Sequence, residues 1–184
     1  GILPKDYPDL DIRQMKINRI QSSGELLKGM SNRASKKAED FLIKLGVNVW
    51  KNLRVLDYDG ETVTTNRDDH FKSQTVIWAA GVKGDAINGL KQESVVERAN
   101  RFKVDEYNKV IGYDNIYAVG DIAYMETKTY KKGHPMMAQP AIQQGRLLGK
   151  NILAKLKSKK QKPFVYNNKG SMATIGRNKA VVDL

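Results

Sequence analysis

Two segments of the chain end an apolar run in small residues that could lie against a ligand. In residues 78–82 (WAAGV), Ala80 and Gly81 would let a flat ring approach the backbone. In residues 115–121 (NIYAVGD), Gly120 would let a phosphate chain pass closely, and the Asp121 carboxylate could accept hydrogen bonds from sugar hydroxyls. Both segments also have a structural explanation, since glycine often stops a buried strand and aspartate often caps a turn. That explanation is preferred for WAAGV, while the two interpretations are about even for Asp121.

A third segment, residues 138–145 (AQPAIQQG), opens a predicted helix. Pro140 suits the first helical turn, whose free N–H groups and positive dipole end favour an anion or a ring that gains negative charge on reduction. Gln139 and Gln143 are four residues apart and could offer their amides to one polar ligand. An ordinary amphipathic helix with solvated glutamines explains the same residues, and without further context it is the preferred interpretation.

The elements that would position these segments are those of an α/β protein. Residues 75–80 (TVIWAA) form a nearly continuous apolar run, which favours a central strand covered on both faces. Apolar residues spaced by three and four predict two helices, with Ser31 as the cap of the first and Gly46 just past its end. The predicted helices are 32–45 and 140–157, the strands 15–20, 47–50, 75–80 and 116–119, the hairpins 53–65 and 172–182, with a short strand and turn at 102–110.

Composition limits the functional classes. The chain has 184 residues, no cysteine and two histidines. Within this stretch it therefore offers no disulfide, thiolate metal site or redox dithiol, and no histidine-rich metal site. His70 and His134 are each expected to be surface or turn residues without a catalytic role.

The net charge of +12 suggests an anionic partner, and it is densest in a lysine patch formed by Lys155, Lys157, Lys159, Lys160 and Lys162. No aromatic residue interleaves the patch, which argues against base stacking, so we expect no nucleic-acid partner. A solvated helix end is the simplest interpretation, and an anionic membrane surface is the next. No run of about 18 apolar residues occurs, so no membrane-spanning helix is predicted.

The order of these segments resembles that of flavoproteins with two dinucleotide-binding domains. TVIWAAGVKG, NIYAVGD, GHPMMAQPAIQQGRLLGKNI and GSMATIGRNKAVV each resemble a segment of the type II NADH dehydrogenases, which are membrane-associated NADH:quinone oxidoreductases. The resemblance extends from Pro4 to the end of the chain. It implies a partial, Rossmann-like α/β fold, in which residues 1–82 are the C-terminal part of the NADH-binding domain and residues 83–184 the C-terminal part of the FAD-binding domain.

The resemblance also implies roles for the matching residues around FAD. Asp121 would bind the ribityl or pyrophosphate part, with Gly120 giving close approach. Ala138 and Gln139 would lie against the isoalloxazine, and Gln139 would in addition line the quinone pocket. No protein side chain is assigned a catalytic role, because the flavin carries the chemistry.

The remaining implied roles concern quinone and NADH. Gln143 and Ile175 would complete the quinone pocket, while Ala80 and Gly81 would lie near the nicotinamide. Where the family has an acid for the adenosine ribose, this chain has Gln21. An acid there binds the 2′-hydroxyl and repels a 2′-phosphate, so Gln21 excludes NADPH less firmly.

The chain contains no GxGxxG, although a complete enzyme of this type needs two such phosphate loops. We therefore expect a fragment, with both loops before Gly1 and a membrane-anchoring segment after Leu184. The fragment alone is expected to be inactive, to bind FAD weakly or not at all, and to expose sheet edges that could pair two copies. The full-length protein is expected on the cytoplasmic face of the membrane, held there peripherally by that segment and the lysine patch.

Two other classes of function compete with this hypothesis. A sulfide:quinone oxidoreductase would have a similar fold and FAD motif, but its chemistry needs cysteines in the corresponding part of the chain. A basic, non-enzymatic module that binds nucleic acid or an anionic membrane would explain the charge, but it leaves AQPAIQQG unexplained.

Overall fold

The structure is a computed structural model that describes residues 6–9, 11 and 14–184. The chain forms two compact units, the first made of Gly1–Trp78 with Gly170–Leu184 and the second of Ala79–Lys169. The strands of the first unit are β1 (Ile17–Ile20), β2 (Val47–Trp50), β3 (Val55–Tyr58), β4 (Thr62–Thr65), β5 (His70–Lys72), β9 (Ser171–Ile175) and β10 (Lys179–Asp183), and its helix is α1 (Asn32–Lys44). The second unit contains β6 (Val95–Val96), β7 (Arg101–Lys103), β8 (Ala123–Tyr124) and the helix α2 (Ala138–Leu156).

The first unit contains a parallel strand pair joined through a helix. β1 pairs with β2 in parallel, with Ile17 opposite Val47, and α1 lies between them in the chain. The Ser31 side chain accepts a hydrogen bond from the N–H of Ala34 at 3.2 Å, and Gly46 has a φ of +82°, so both predicted helix boundaries are confirmed.

Helix α1 packs on the C-terminal hairpin of β9 and β10. Ala34 and Ala38 of the helix form a buried cluster with Ile175 and Val181 of the hairpin. This hairpin was predicted at 172–182, and it is confirmed. The hairpin of β3 and β4 is confirmed as well, with Asp59 Oδ1 accepting the N–H groups of two residues across the turn.

The segment 75–80 is not the buried central strand that its composition predicts. It forms no strand, and the side chains of Ile77 and Trp78 are 86% and 70% exposed. A strand requires a neighbour for its N–H and C=O groups, and no described strand pairs with this segment. Residues 116–119 are likewise not a regular strand, because pairing there is limited to one bridge between Lys109 and Tyr117.

The core of the second unit surrounds a small sheet in which β7 pairs antiparallel with β6 and parallel with β8. Phe102, Val110, Ala123, Met125 and Phe164 are among its buried residues. The long helix α2 begins two residues before its predicted start, which keeps Pro140 in the first turn. No helix among the described residues is long and apolar enough to cross a membrane.

Candidate functional site

The Gly120–Asp121 turn of the second unit meets the beginning of helix α2. Val119 is extended, with φ −137° and ψ 155°, and the chain then turns through a short 3₁₀ helix, Gly120–Ile122. The N-cap residue of this turn, Val119, makes no side-chain capping hydrogen bond, and the Asp121 side chain is exposed. Asp121 is therefore accessible to a ligand.

Helix α2 begins without a side-chain cap. Its N-cap residue, Met137, makes no capping hydrogen bond, and Ala138 is exposed at the first helical position. The first turn of a helix carries N–H groups without intrahelical partners and the positive end of the dipole. This end of α2 is thus suited to an anion or an electron-rich ring.

Two of the glutamines on α2 bind an extended segment that follows the helix, residues 166–169, here called the strap. Gln143 Nε2 donates to Asn167 O at 2.9 Å, and Asn167 N donates to Gln143 Oε1 at 3.0 Å. Gln139 Oε1 accepts from Lys169 N at 3.1 Å and from the Tyr166 hydroxyl at 3.4 Å. Sequence reasoning missed the strap, because its residues carry no periodicity or turn signal.

An aromatic cluster that includes Tyr166 surrounds His134. The imidazole centroid lies 4.6 Å from that of Tyr130, 5.4 Å from that of Phe164 and 5.6 Å from that of Tyr166. His134 is only 3% exposed, so its prediction as a surface or turn residue is wrong. Burial, followed by the nearby charge of Arg101, lowers the pKa of His134.

Arg101 lies buried beside His134 and spans two parts of the unit. Its Nη2 donates to Ala123 O at 2.5 Å and to His134 O at 3.1 Å. Burial lowers the pKa of Arg101, and the negative charge of Asp121 opposes that shift. The positive charge of the buried Arg101 guanidinium therefore acts on the Gly120–Asp121 turn.

The other predicted site residues lie in different surroundings. The Gln21 amide, at the end of β1, donates to Ser23 Oγ at 2.7 Å, while Ala80 and Gly81 are exposed. Ile175 is 7% exposed within the core of the first unit. Gln21 and Ile175 thus belong to the first unit and the remaining site residues to the second. Their roles toward NADH and quinone stay predictions.

In α/β folds that bind dinucleotides, the phosphate groups commonly lie at the N-terminus of a helix. The sequence profile described as pyridine nucleotide-disulphide oxidoreductase matches residues 11–145, and the chain belongs to this family. The predicted family resemblance and the partial α/β fold are confirmed.

Several relatives with curated names are called type II NADH:quinone oxidoreductases. The Haemophilus influenzae protein is 26% identical over 97% of this chain and 40% of its own length. The Mycobacterium tuberculosis protein Ndh is 31% identical over 97% of this chain and 39% of its own length. The chain thus spans about 40% of the length of these relatives.

Solved structures show the same fold. NDH2 from Plasmodium falciparum in complex with NADH superposes with a TM-score of 0.81 at 20% identity, covering 99% of this chain and 52% of that one. A NAD-dependent persulfide reductase from A. fulgidus superposes with a TM-score of 0.68 at 24% identity, covering 88% of this chain and 30% of that one.

Proposed function

We propose that this chain is part of an FAD-dependent oxidoreductase that transfers electrons from NADH to a quinone. The observation that carries the proposal is the exposed Asp121 carboxylate at a glycine turn that packs against the uncapped N-terminus of α2. The names of the relatives, type II NADH:quinone oxidoreductases, support the same reaction.

The residues at the turn and at the helix fit a flavin dinucleotide. A Cβ on Gly120 would lie 3.0 Å from the Cβ of Ala141, a tight contact, and Gly120 has a φ of +72°, so glycine suits this close approach of the turn to the helix. Asp121 would accept hydrogen bonds from ribityl or ribose hydroxyls, and Ala138 and Gln139 would border the ring system. The first-turn N–H groups of α2 would stabilise negative charge on that ring. FAD, when bound, supplies the hydride and electron transfer between NADH and quinone.

The quinone would meet the face of α2 that carries Gln139 and Gln143. NADH would lie near Ala80 and Gly81. Gln21, a neutral amide, would bind the adenosine ribose without repelling a 2′-phosphate, so NADPH should also be oxidised. Oxidation rates with NADH and NADPH, compared for the wild type and Gln21→Glu, test this assignment, because the glutamate should lower the rate with NADPH selectively.

The lysine patch would bring the protein to the cytoplasmic face of the membrane as a peripheral protein. Its lysines are exposed, and Leu153 and Leu156 beside them are 58% and 77% exposed. Cations next to exposed apolar side chains suit an anionic lipid surface. The open edges of the small sheets offer a route to a homo-oligomer. Binding to anionic vesicles, lost when the five lysines are changed to glutamine, would support the membrane assignment.

The proposed reaction is tested with the protein expressed from its complete reading frame. The purified protein should carry FAD and reduce a soluble quinone with NADH. Asp121→Ala should weaken FAD binding about 10- to 100-fold, because hydrogen bonds to a charged acceptor are lost. Asp114→Ala is the matched control, since Asp114 is also an exposed aspartate and pairs with Lys109 at 3.6 Å. Unchanged FAD affinity in Asp121→Ala would contradict the assignment.

The 184-residue chain by itself should show neither activity nor stoichiometric flavin. It contains no GxGxxG, and that loop supplies the N–H groups that bind the pyrophosphate. Flavin absorbance at one FAD per chain in the purified 184-residue protein would contradict this expectation.

A further inference from the structure

The neighbour of Gln143 on helix α2, Gln144, is a buried polar residue with a specific contact. Its side chain is 1% exposed, and its Oε1 accepts the N–H of Gly120 at 2.7 Å. We propose that Gln144 is a positioning residue that holds the Gly120–Asp121 turn in the conformation that binds flavin. This inference rests on the proposed function, and it concerns a residue that would not itself contact the cofactor.

The turn approaches the helix so closely that a larger residue at Gly120 would be strained. Gly120 has a φ of +72°, and Ala141 is the helix residue that a Cβ at Gly120 would meet. Gln144 follows Ala141 by three residues, so the two share a face of α2. The Gly120 N–H begins the 3₁₀ turn and has no partner within it, so without Gln144 a half-buried donor would be left unpaired.

The turn is held at both of its ends. Gln144 binds the N–H of Gly120 at the start, and the buried Arg101 donates to the carbonyl oxygen of Ala123, directly after the turn. Asp121 lies between these two anchor points with its side chain exposed. Because both ends of the turn are fixed, the backbone angles between them are limited. The Asp121 carboxylate should therefore already have one preferred orientation before flavin binds, and it should lose less entropy on binding.

Adjacent glutamines on α2 therefore serve different segments. Successive helical residues project about 100° apart, and Gln143 binds the strap while Gln144 binds the turn. A neutral amide is suited to the buried position, since it supplies an acceptor without adding a negative charge beside Asp121 and the cofactor phosphates.

The first test measures amide hydrogen exchange by NMR in the 184-residue chain. Gln144→Met keeps the length of the side chain and removes the acceptor, and it should lower protection of the Gly120 amide about 10- to 100-fold. Gln144→Glu keeps an oxygen acceptor at the same length and should restore protection to within about threefold of the wild type. Gln144→Asn, too short to reach Gly120, is the second disrupting variant if the methionine protein does not fold.

The second test measures FAD affinity in the protein expressed from its complete reading frame. Gln144→Met and Gln144→Asn, which both remove the acceptor from Gly120, should each weaken FAD binding by about tenfold. Asn151→Leu is the matched control, because Asn151 is another buried amide on α2, 3% exposed, that binds Lys162 instead of the turn. It should lower the melting temperature while leaving Gly120 protection and FAD affinity unchanged.

Three results would overturn the inference. Unchanged Gly120 protection in Gln144→Met would show that the hydrogen bond does not hold the turn. Equal loss of FAD affinity in Asn151→Leu would show that general stability accounts for the effect. A wild-type protein that binds no FAD would refute the proposed function and this role with it, while the exchange data would still report whether Gln144 holds the turn.

Discussion

Replacement of the buried His134 by phenylalanine should remove a specific dependence of stability on pH. Neither ring nitrogen of His134 has a hydrogen-bond partner among residues 6–9, 11 and 14–184, and the positive charge of Arg101, which binds the His134 carbonyl oxygen, acts on the ring. The nearest other groups are aromatic: Tyr130, Phe164 and Tyr166. A neutral ring is tolerated there, whereas a charged ring would be desolvated and repelled by the guanidinium.

The direction of the effect follows from the lowered pKa. The unfolded chain takes up a proton at His134 below about pH 6.5, while the folded chain does not until the pH falls through its lower folded pKa. The unfolded state thus binds more protons in this window, so the free energy of unfolding falls as the pH falls. At pH 5.5 the loss relative to pH 7.5 is at most about 1.4 kcal/mol.

His134→Phe should abolish that loss. At pH 7.5 the variant should be more stable than the wild type by about 1 kcal/mol, because phenylalanine has no polar ring atoms to leave unpaired and suits the aromatic neighbours. Urea unfolding at pH 5.5, 6.5 and 7.5, followed by near-ultraviolet circular dichroism, measures both effects. His70→Phe, which replaces the exposed histidine, is the control. A slope with pH that is the same in wild type and His134→Phe would refute the reasoning.

Four further substitutions give three separate tests. Gln143→Leu should lower amide protection at Asn167 by about tenfold, measured by hydrogen exchange, since the strap loses both hydrogen bonds to that side chain. Asp183→Ala should lower the melting temperature at neutral pH and have little effect well below pH 3.8. Two hydrogen bonds from Ser31, the cap residue of α1, lower the pKa of Asp183, so its contribution to stability is lost as the pH falls through the folded pKa. Gly84→Ala should lower the free energy of unfolding by about 1–3 kcal/mol, measured in urea, because its Cβ would lie 2.3 Å from a backbone oxygen. Gly149→Ala, in an open position on α2, should instead raise the free energy of unfolding by about 0.5–1 kcal/mol.

The elements that the sequence predicted well are those with local signals. Helix α1 has a serine cap, apolar spacing of three and four, and a glycine at its end, and all three determine its bounds within a few residues. The turn between β3 and β4 depends on Asp59 and Gly60, whose hydrogen bonds and positive φ are local properties. The prediction of a strand at TVIWAA was wrong, because a strand depends on a pairing partner and no local sequence pattern specifies that partner.

The residues of the candidate site also divide into those that local sequence patterns indicate and those that they do not. Asp121 and the start of α2 were found from sequence, because a strand-like run ending in Gly-Asp and a proline in a first helical turn are local patterns. Gln144 and His134 were missed, because a glutamine or histidine that is buried has no sequence signature that separates it from an exposed one. Their burial depends on segments 20 or more residues away, Gly120 for the first and Phe164 for the second.

The strap also limits how the predicted quinone glutamines can act. Both ends of the Gln143 amide are bound to Asn167, so a quinone could use that amide only by displacing the strap. Gln139 also binds the strap, because its Oε1 accepts hydrogen bonds from the Lys169 N–H and the Tyr166 hydroxyl. Gln139 and Gln143 should therefore influence the proposed quinone site mainly by keeping the strap against the helix, and leucine at either position should release the strap.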